Sequence, residues 1–277
     1  MTGIGKSYGA ITVVNAMPTG MGATIGIDLE TRAAFTPGTG AKTVTIVNDP
    51  GEDTAMARCC VGRAYEVMGK KEPEGWTLEV DSEIPVSRGL KSSSSACNAI
   101  LHAVFNEYGF RIDRTELVRH GVHCARKTGV TVTGSFDDAC GCEFGGLVIT
   151  DNRDDSIIYR RDIEEYDVVL HIPERKIRKD TLNPEVFKKV GFETEIALSM
   201  VEFHPFNAMT MNGRLISSVS DVDNSVAEEA LRQGALGAGM SGAGPAISIV
   251  FEPGRGQKFI ERSGLENTML VKTRSSG

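Results

Sequence analysis

The segment that begins at Pro85 has the residue types of a phosphate-binding loop. It reads Pro85-Val-Ser-Arg-Gly-Leu-Lys-Ser-Ser-Ser-Ser-Ala96, so a glycine turn leads into four serines. Apolar residues then recur at i, i+3, i+4, i+7 and i+8 from Ala96 to Val104, which predicts a helix that begins in the serine run. The first N–H groups of a helix lack backbone partners and favour anions, so this segment could hold phosphate.

The charged and hydroxyl side chains of this segment add to the prediction. Lys91 or Arg88 can neutralise phosphate charge, and the serine hydroxyls can donate hydrogen bonds or reach a magnesium ion. In the alternative interpretation, the four serines only cap the helix and fill a loop.

A second glycine-rich segment lies near the C-terminus. It reads Leu236-Gly-Ala-Gly-Met-Ser-Gly-Ala-Gly-Pro245, and its four glycines permit close backbone approach to a ligand. The spacing resembles a dinucleotide-binding fingerprint, but that fingerprint follows a strand and opens a helix. Here the segment follows a predicted helix and opens a predicted strand, so we reject the dinucleotide fold and expect a loop. A plain connection between elements is the alternative interpretation.

Two adjacent acids form the third candidate. In Gly134-Ser-Phe-Asp-Asp-Ala139, Asp137 and Asp138 could serve as a general base, as a magnesium ligand, or as both. The alternative is a helix cap with solvated carboxylates. By contrast, Gly5-Lys6-Ser7 does not form a P-loop, because the required earlier glycine and strand have no room before it.

The elements that must position these segments interleave irregularly. We predict strands near 10–15, 23–28, 43–47, 76–80, 147–150, 168–172 and 246–251. We predict helices over 53–68, from the serine run to Gly109, over 113–127, over most of 184–212, and over 225–233. This order favours an α+β fold over a regular doubly wound sheet.

Composition limits the classes of function. The chain has 277 residues, of which 30 are basic and 37 acidic, so its formal charge is 30 − 37 = −7. That balance argues against a nucleic-acid partner, which normally requires a basic surface. The sequence has no 18-residue apolar run and no signal-peptide pattern, so we expect a cytoplasmic protein without a membrane partner. The six cysteines are expected to be reduced thiols.

Taken in order, the three segments resemble the GHMP kinases. That family has a PxxxGLGSSAA-like loop in its first half and a glycine-rich loop near its C-terminus. In this chain Lys91 stands where the family loop has its second glycine, and the resulting form GLKSSSSA is similar to the archaeal shikimate kinase branch. The agreement also includes the stretch from Asn15 to Gly26 and Ser241-Gly-Ala-Gly-Pro245.

The resemblance implies an α+β GHMP kinase fold in two domains. Residues 1–155 would resemble the second domain of ribosomal protein S5, and residues 156–277 would be ferredoxin-like and carry the glycine-rich loop. ATP would bind between them. The implied reaction transfers the γ-phosphoryl group of ATP to the 3-hydroxyl of shikimate, in aromatic amino-acid biosynthesis.

The resemblance also implies roles for residues. The residues expected to bind ATP are Pro85, Arg88, Gly89, Leu90, Lys91, Ser92, Ser93, Ser94, Ser95, Ala96, Gly239, Ser241, Gly242 and Gly244. Ser93 and Asp137 would bind Mg²⁺, and Asp137 or Asp138 would act on the acceptor hydroxyl. Some relatives have a further acidic ligand just before this aspartate, whereas residues 117–136 contain no Asp or Glu.

The acceptor site is less visible in the sequence. Lys6 and Asn15 lie where this family often contacts its acceptor. Arg175 and Arg178 belong to the densest basic cluster and could bind an acceptor carboxylate, although a solvated turn is the alternative.

Two other functions stay open at this point. The chain could be another GHMP kinase, acting on homoserine, mevalonate or pantoate. It could instead be a non-catalytic RNA-binding module with the S5-like fold, against which the negative charge argues. The sequence does not assign an oligomeric state.

Overall fold

The computed structural model describes residues 1–131, 134–174, 184–220, 222–242 and 244–276. The strands within these ranges are β1 (Gly3–Val14), β2 (Met21–Gly38), β3 (Lys42–Ile46), β4 (Gly75–Ser82), β5 (Leu147–Asp151), β6 (Ser156–Arg161), β7 (Asp167–His171), β8 (Gly237–Met240), β9 (Ile247–Phe251) and β10 (Thr268–Lys272). The helices are α1 (Ala55–Met68), α2 (Ser92–Glu107), α3 (Arg114–Lys127), α4 (Phe136–Phe144), α5 (Pro184–Lys188), α6 (Gly191–Met200), α7 (Pro205–Ser218), α8 (Ser225–Arg232) and α9 (Gly256–Ser263).

The first sheet is built around the long strand β2. Strand β1 pairs antiparallel with one edge of β2, while β4 and β5 pair antiparallel with its other edge, at residues 31–38 and 21–25. Strand β3 runs parallel to β4, and β6 pairs antiparallel with β5. Helix α2 packs directly on β1, where Gly3 and Gly5 lie against the backbone of α2 and leave no room for a Cβ atom.

The second sheet has the strand order β10-β7-β9-β8, and all of its pairs are antiparallel. Its first strand is followed by helices, then by two adjacent strands, a helix and a last strand. This succession with the order 4-1-3-2 is the ferredoxin-like arrangement, so the predicted fold of the C-terminal part is confirmed.

The hydrophobic core is continuous between the two sheets. One cluster includes Ile25 and Leu147 of the first sheet together with Val168, Leu170 and Val250 of the second. A separate cluster fills the space between the first sheet and helices α1, α2 and α3. Because β6 pairs with β5, the first sheet extends to Arg161; the division of the chain after residue 155 stays a prediction.

The predicted strands and helices all occur, but β1 begins seven residues before the predicted strand, β2 ends ten residues after it, and the stretch 184–212 forms three helices. The prediction of a loop over 236–245 is wrong in its first part, where Gly237–Met240 forms β8. These glycines serve helix packing, because a Cβ on Gly237 would lie 2.6 Å from the Phe206 carbonyl oxygen and one on Gly239 would lie 2.9 Å from Gly213 Cα of α7. Helices α4 and α9 and strands β6 and β10 are not among the predicted elements. Helix α4 is buried on all sides, so it has no amphipathic pattern.

Within the described ranges, no helix is both long and apolar enough to cross a membrane.

Candidate active site

The phosphate-loop segment ends at the start of α2. Lys91 is the N-cap residue, with φ 70° and ψ 26°, and its own side chain does not cap the helix. The amides of its first turn can therefore point at ligand oxygens. Ser93 is exposed there, and Ser95 is fully buried with a hydroxyl that has no hydrogen-bond partner among the described residues. An unsatisfied buried hydroxyl at this place fits a ligand oxygen nearby.

Lys91 connects the loop with three other parts of the site. Its Nζ lies 2.8 Å from Asp138 Oδ1 and donates to Thr12 Oγ1 at 2.7 Å. The same Thr12 hydroxyl accepts from the Gly242 amide at 2.8 Å. The side chain of Lys91 is almost fully buried, although its backbone adopts the left-handed conformation that favours glycine. Side-chain contacts thus hold a conformation that costs about 1 kcal/mol.

The two acids begin α4 and are both buried, at 5% and 6% exposure. Asp137 receives a hydrogen bond from Asn152 Nδ2 at 2.7 Å, whereas Asp138 pairs with Lys91. Burial, followed by the charge of Asp138, raises the pKa of Asp137 from 3.8 to about 6. The alternative interpretation as solvated carboxylates is therefore wrong.

Asn152 is a site residue that the sequence did not indicate. Its Oδ1 accepts from the Asp137 amide at 3.0 Å and from Thr150 Oγ1 at 2.9 Å, so the orientation of its side-chain amide is fixed. The backbone N–H of Asn152 donates to the Gly20 carbonyl at 2.8 Å. Asn152 belongs to a polar turn after a strand, and in one sequence such a residue looks like any turn asparagine.

The structure brings the phosphate-loop segment together with the glycine-rich turn, which is the part of the glycine-rich segment that follows β8 from Ser241 onward. Ser241 Oγ donates to the Gly89 carbonyl at 2.9 Å, and the Ala246 amide donates to the Arg88 carbonyl at 3.2 Å. Gly89, at φ 85°, has no room for a Cβ, which would overlap the Ser241 carbonyl oxygen. Gly242 and Gly244 also have positive φ, at 58° and 76°. Glycine is thus required where the two segments meet.

Other residues predicted for ATP binding differ in their surroundings. Pro85 and Arg88 are half-buried, and Arg88 Nη1 has no hydrogen-bond partner among the described residues, which fits an anion. The side chain of Leu90 packs in the core between the sheets, so only its backbone can face a ligand. Ala96 packs toward the core under α1–α3, and Gly239 packs on α7. Their ligand contacts stay predictions.

The predicted acceptor residues are not all at this site. Asn15 is there, and its Nδ2 donates to the Gly242 carbonyl at 2.7 Å while its Oδ1 accepts from the Met17 amide at 2.9 Å. Lys6 lies nine residues earlier, which is roughly 30 Å along a strand. It is exposed and pairs with Glu30 at 2.9 Å, so the structure does not bring it together with the other residues. Arg175 and Arg178 lie outside the described residues.

The residues that could hold magnesium are few. In the part of the chain that the structure describes, no three His, Cys, Asp or Glu side chains form a metal site. Ser93 and Asp137 offer a hydroxyl and a carboxylate at the starts of α2 and α4. Such oxygen donors fit Mg²⁺, which typically takes one or two protein ligands and completes its shell with phosphates and water.

Comparison with known proteins agrees with this arrangement. Residues 57–146 match the model of the GHMP kinases N terminal domain, and residues 202–263 match that of the GHMP kinases C terminal. A protein of Pyrococcus abyssi named shikimate kinase is 38% identical over 91% of this chain and 93% of its own length. The shikimate kinase of Pyrococcus furiosus is 35% identical over 99% of this chain and all of its own length.

Solved structures of lower identity share the fold. The mevalonate kinase of Methanococcus jannaschii has a TM-score of 0.76 at 15% identity and covers 99% of this chain and 98% of its own. A homoserine kinase of Cytophaga hutchinsonii has a TM-score of 0.73 at 16% identity and covers 99% of this chain and 95% of its own. With both family models matched and relatives at 35–38% identity over most of the sequence, the chain belongs to the GHMP kinases.

Proposed function

We propose that this protein is a shikimate kinase, which transfers the γ-phosphoryl group of ATP to the 3-hydroxyl of shikimate in aromatic amino-acid biosynthesis. The observation that carries the kinase chemistry is the Lys91–Asp138 ion pair of 2.8 Å, which joins the start of α2 to the acid pair of α4. The choice of acceptor follows the name that the Pyrococcus relatives carry.

The chain's own residues supply position and charge. In this proposal the first-turn amides of α2 and the serines bind the phosphates of ATP, while Arg88 and Lys91 neutralise their charge. Phosphoryl transfer depends mainly on such positioning and electrostatic stabilisation, so a strong base is not required.

We assign to Asp138 the role of binding the acceptor hydroxyl. Its carboxylate lies beside Lys91, at the helix end where the phosphates would bind. The carboxylate of Asp137 is enclosed differently, between Asn152 on one oxygen and the Cα side of Gly22 on the other. Asp138 would orient the hydroxyl and accept its proton, while Asp137 and Ser93 would hold Mg²⁺. When bound, the ion supplies further neutralisation of phosphate charge.

Other acceptors of the family are the competing functions. The mevalonate and homoserine kinases that share the fold are only 15–16% identical, so they carry no information about the acceptor. Homoserine, mevalonate and pantoate are therefore the compounds to test beside shikimate.

The test measures ADP release with Mg-ATP at saturation and each of these four acceptors. We expect turnover with shikimate and not with the other three. Turnover with a different acceptor would overturn the assignment of shikimate and leave the kinase in place. Absence of both turnover and ATP binding would point to a non-catalytic module.

A further inference from the structure

Arg153 lies next to the acid pair along the start of β2. A Cβ on Gly20 would lie 2.8 Å from Arg153 Cγ, and a Cβ on Gly22 would overlap the Asp137 carboxylate. Gly20 and Gly22 are two residues apart, which is roughly 6–7 Å in an extended chain. Asn152, which directly precedes Arg153 in the chain, donates a hydrogen bond to the Asp137 carboxylate. An arginine therefore lies near Asp137, the neighbour of the Asp138 carboxylate to which we assign the acceptor hydroxyl.

One edge of the Arg153 guanidinium is already bound. Its Nε donates to Asp151 Oδ1 at 2.8 Å and to Oδ2 at 3.0 Å, and its Nη2 contacts the same carboxylate. The Arg153 amide also donates to Asp151 Oδ1 at 2.9 Å. Its Nη1, however, has no hydrogen-bond partner among the described residues, and the side chain is 63% exposed. Because a guanidinium has five donors in one plane, the edge formed by Nη1 and Nη2 can take a second carboxylate.

We propose that Arg153 binds the carboxylate group of the acceptor through this Nη1–Nη2 edge, while Asp151 holds the guanidinium in position. The inference rests on the proposed function, because it concerns the acceptor that the kinase phosphorylates. It identifies a carboxylate-binding arginine in the turn between β5 and β6. Arg153 is thus an alternative to Arg175 and Arg178, which the sequence predicts for the same carboxylate.

The charges near Arg153 indicate how the carboxylate is recognised. Besides Asp151, the acids Asp154 and Glu195 interact with the guanidinium, the latter from α6. Helix α6 also comes close to the turn between β1 and β2, since a Cβ on Gly191 would lie 3.6 Å from the Pro18 carbonyl oxygen. The local net charge is thus not positive. Recognition depends on two directed, charge-assisted hydrogen bonds, which lysine cannot reproduce.

The test compares an acceptor acid with its uncharged carboxamide in kcat/KM. The wild-type protein is expected to prefer shikimate over shikimate carboxamide by roughly 10–100-fold, the effect of losing hydrogen bonds to a charged group. In Arg153→Gln this preference should fall to about onefold, because KM for the acid rises while KM for ATP stays the same. Arg153→Lys should restore only part of the preference, since it has no fork.

Arg214→Gln is a matched control. Arg214 also binds a carboxylate side-on, with Nε and Nη2 at 2.7 and 2.8 Å from Glu228, and it is 58% exposed on α7. It should keep the wild-type preference.

A preference for the acid that persists in Arg153→Gln would overturn the proposal, and so would its loss in Arg178→Gln alone. Homoserine, mevalonate and pantoate also carry a carboxylate. If the protein phosphorylates one of them instead of shikimate, the same comparison is made with that compound and its amide. Failure of the shikimate assignment is thus distinguishable from failure of the Arg153 assignment.

Discussion

At the scale of residues, the site contains two adjacent carboxylates in different surroundings. Asp138 faces the buried ammonium of Lys91, and Asp137 faces the neutral amide of Asn152. A cation stabilises a carboxylate more strongly than an amide does, and Asp137 also feels the charge of Asp138. The two acids therefore have different partners, although they are neighbours on one helical turn.

Replacement of the acid beside Lys91 should mainly affect catalysis. Asp138→Asn is expected to lower kcat by roughly 10²–10⁴-fold, because the acceptor hydroxyl loses its proton acceptor. KM for ATP should change little, which steady-state kinetics can show. Asp137→Asn at saturating Mg²⁺ serves as the comparison, and an equal or larger loss of kcat there would reverse our assignment of the two roles.

The raised pKa of Asp137 predicts how stability depends on pH. A carboxyl group whose pKa is about 6 in the folded chain and 3.8 when unfolded stabilises the fold below pH 4, and this contribution is lost as the pH rises through 6. Asp137→Asn should therefore be more stable than wild type at pH 7.5, by roughly 1–3 kcal/mol. The difference should shrink at pH 4, as measured by urea unfolding of the ligand-free protein. A difference that is the same at both pH values would contradict the prediction.

At the scale of elements, glycines decide where the segments of the site can meet. The absence of a side chain at Gly89 leaves room for the Ser241 carbonyl, so two loops approach closely. In the same way, Gly239 leaves room for Gly213, so strand β8 approaches helix α7. The turn itself then follows β8 and reaches the phosphate-loop segment.

A methyl group at Gly239 should separate β8 from α7. In Gly239→Ala the new Cβ would lie 2.9 Å from both Gly213 Cα and the Met209 carbonyl oxygen. We expect a loss of about 1–3 kcal/mol in the free energy of unfolding, since backbone must move to relieve the contact. Gly62→Ala in α1 is the control, because its Cβ would meet only Glu72 Oε2 at 4.0 Å. It should gain about 0.5–1 kcal/mol, and equal effects of the two changes would argue against close packing at Gly239.

The elements that the sequence predicts have patterns that are local in the chain. Helix α2 was predicted because its apolar face recurs along the chain and its first turn is rich in serine. Helix α4 was not, because all nine of its residues from Phe136 to Phe144 are buried and no polar face remains. The glycines of β8 predict a loop when they are read in the sequence alone, because only the packing of α7 on this strand explains them.

The sequence also predicts only some residues of the site. The sequence predicts Lys91 and the acid pair as site residues, because their residue types and their motifs are typical of phosphate and metal binding. It could not show that Lys91 would bind Asp138 rather than point to solvent, because that contact joins residues 47 positions apart. It also gave no reason to choose Asn152 or Arg153, whose positions depend on the turn between β1 and β2.

At the scale of the whole molecule, the segment after β10 fastens the second sheet to the first. The Arg274 amide donates to the Gly26 carbonyl at 2.8 Å, and its carbonyl accepts from the Gly146 amide at 2.7 Å. Its guanidinium donates to the Cys142 carbonyl at 2.9 Å and lies 4.3 Å from the centre of the Tyr8 ring. These contacts reach β2, α4 and β1 at once.

Loss of this segment should weaken the whole fold. A chain that ends at Lys272 is expected to lose about 3–5 kcal/mol of stability. It lacks the backbone and guanidinium contacts of Arg274 and also the hydrogen bonds that Thr273, Ser275 and Ser276 make with residues 162–166. Arg274→Ala keeps the backbone bonds and should lose about half as much. Denaturant unfolding followed by Trp76 fluorescence and by circular dichroism measures both. Truncation without effect would show that the continuous core alone joins the two sheets.

The contact between Gly89 and Ser241 joins residues 152 positions apart in the chain. During translation, helix α2 therefore leaves the ribosome well before the glycine-rich turn that contacts the phosphate-loop segment. At roughly 5–20 residues per second, the 152 residues from Leu90 to Ser241 take about 8–30 s to be made. Throughout that interval the nascent chain has its serines and Lys91 but not the surface against which they are ordered. A message cut short anywhere in this stretch would thus yield a product with the phosphate-loop sequence and no assembled nucleotide site.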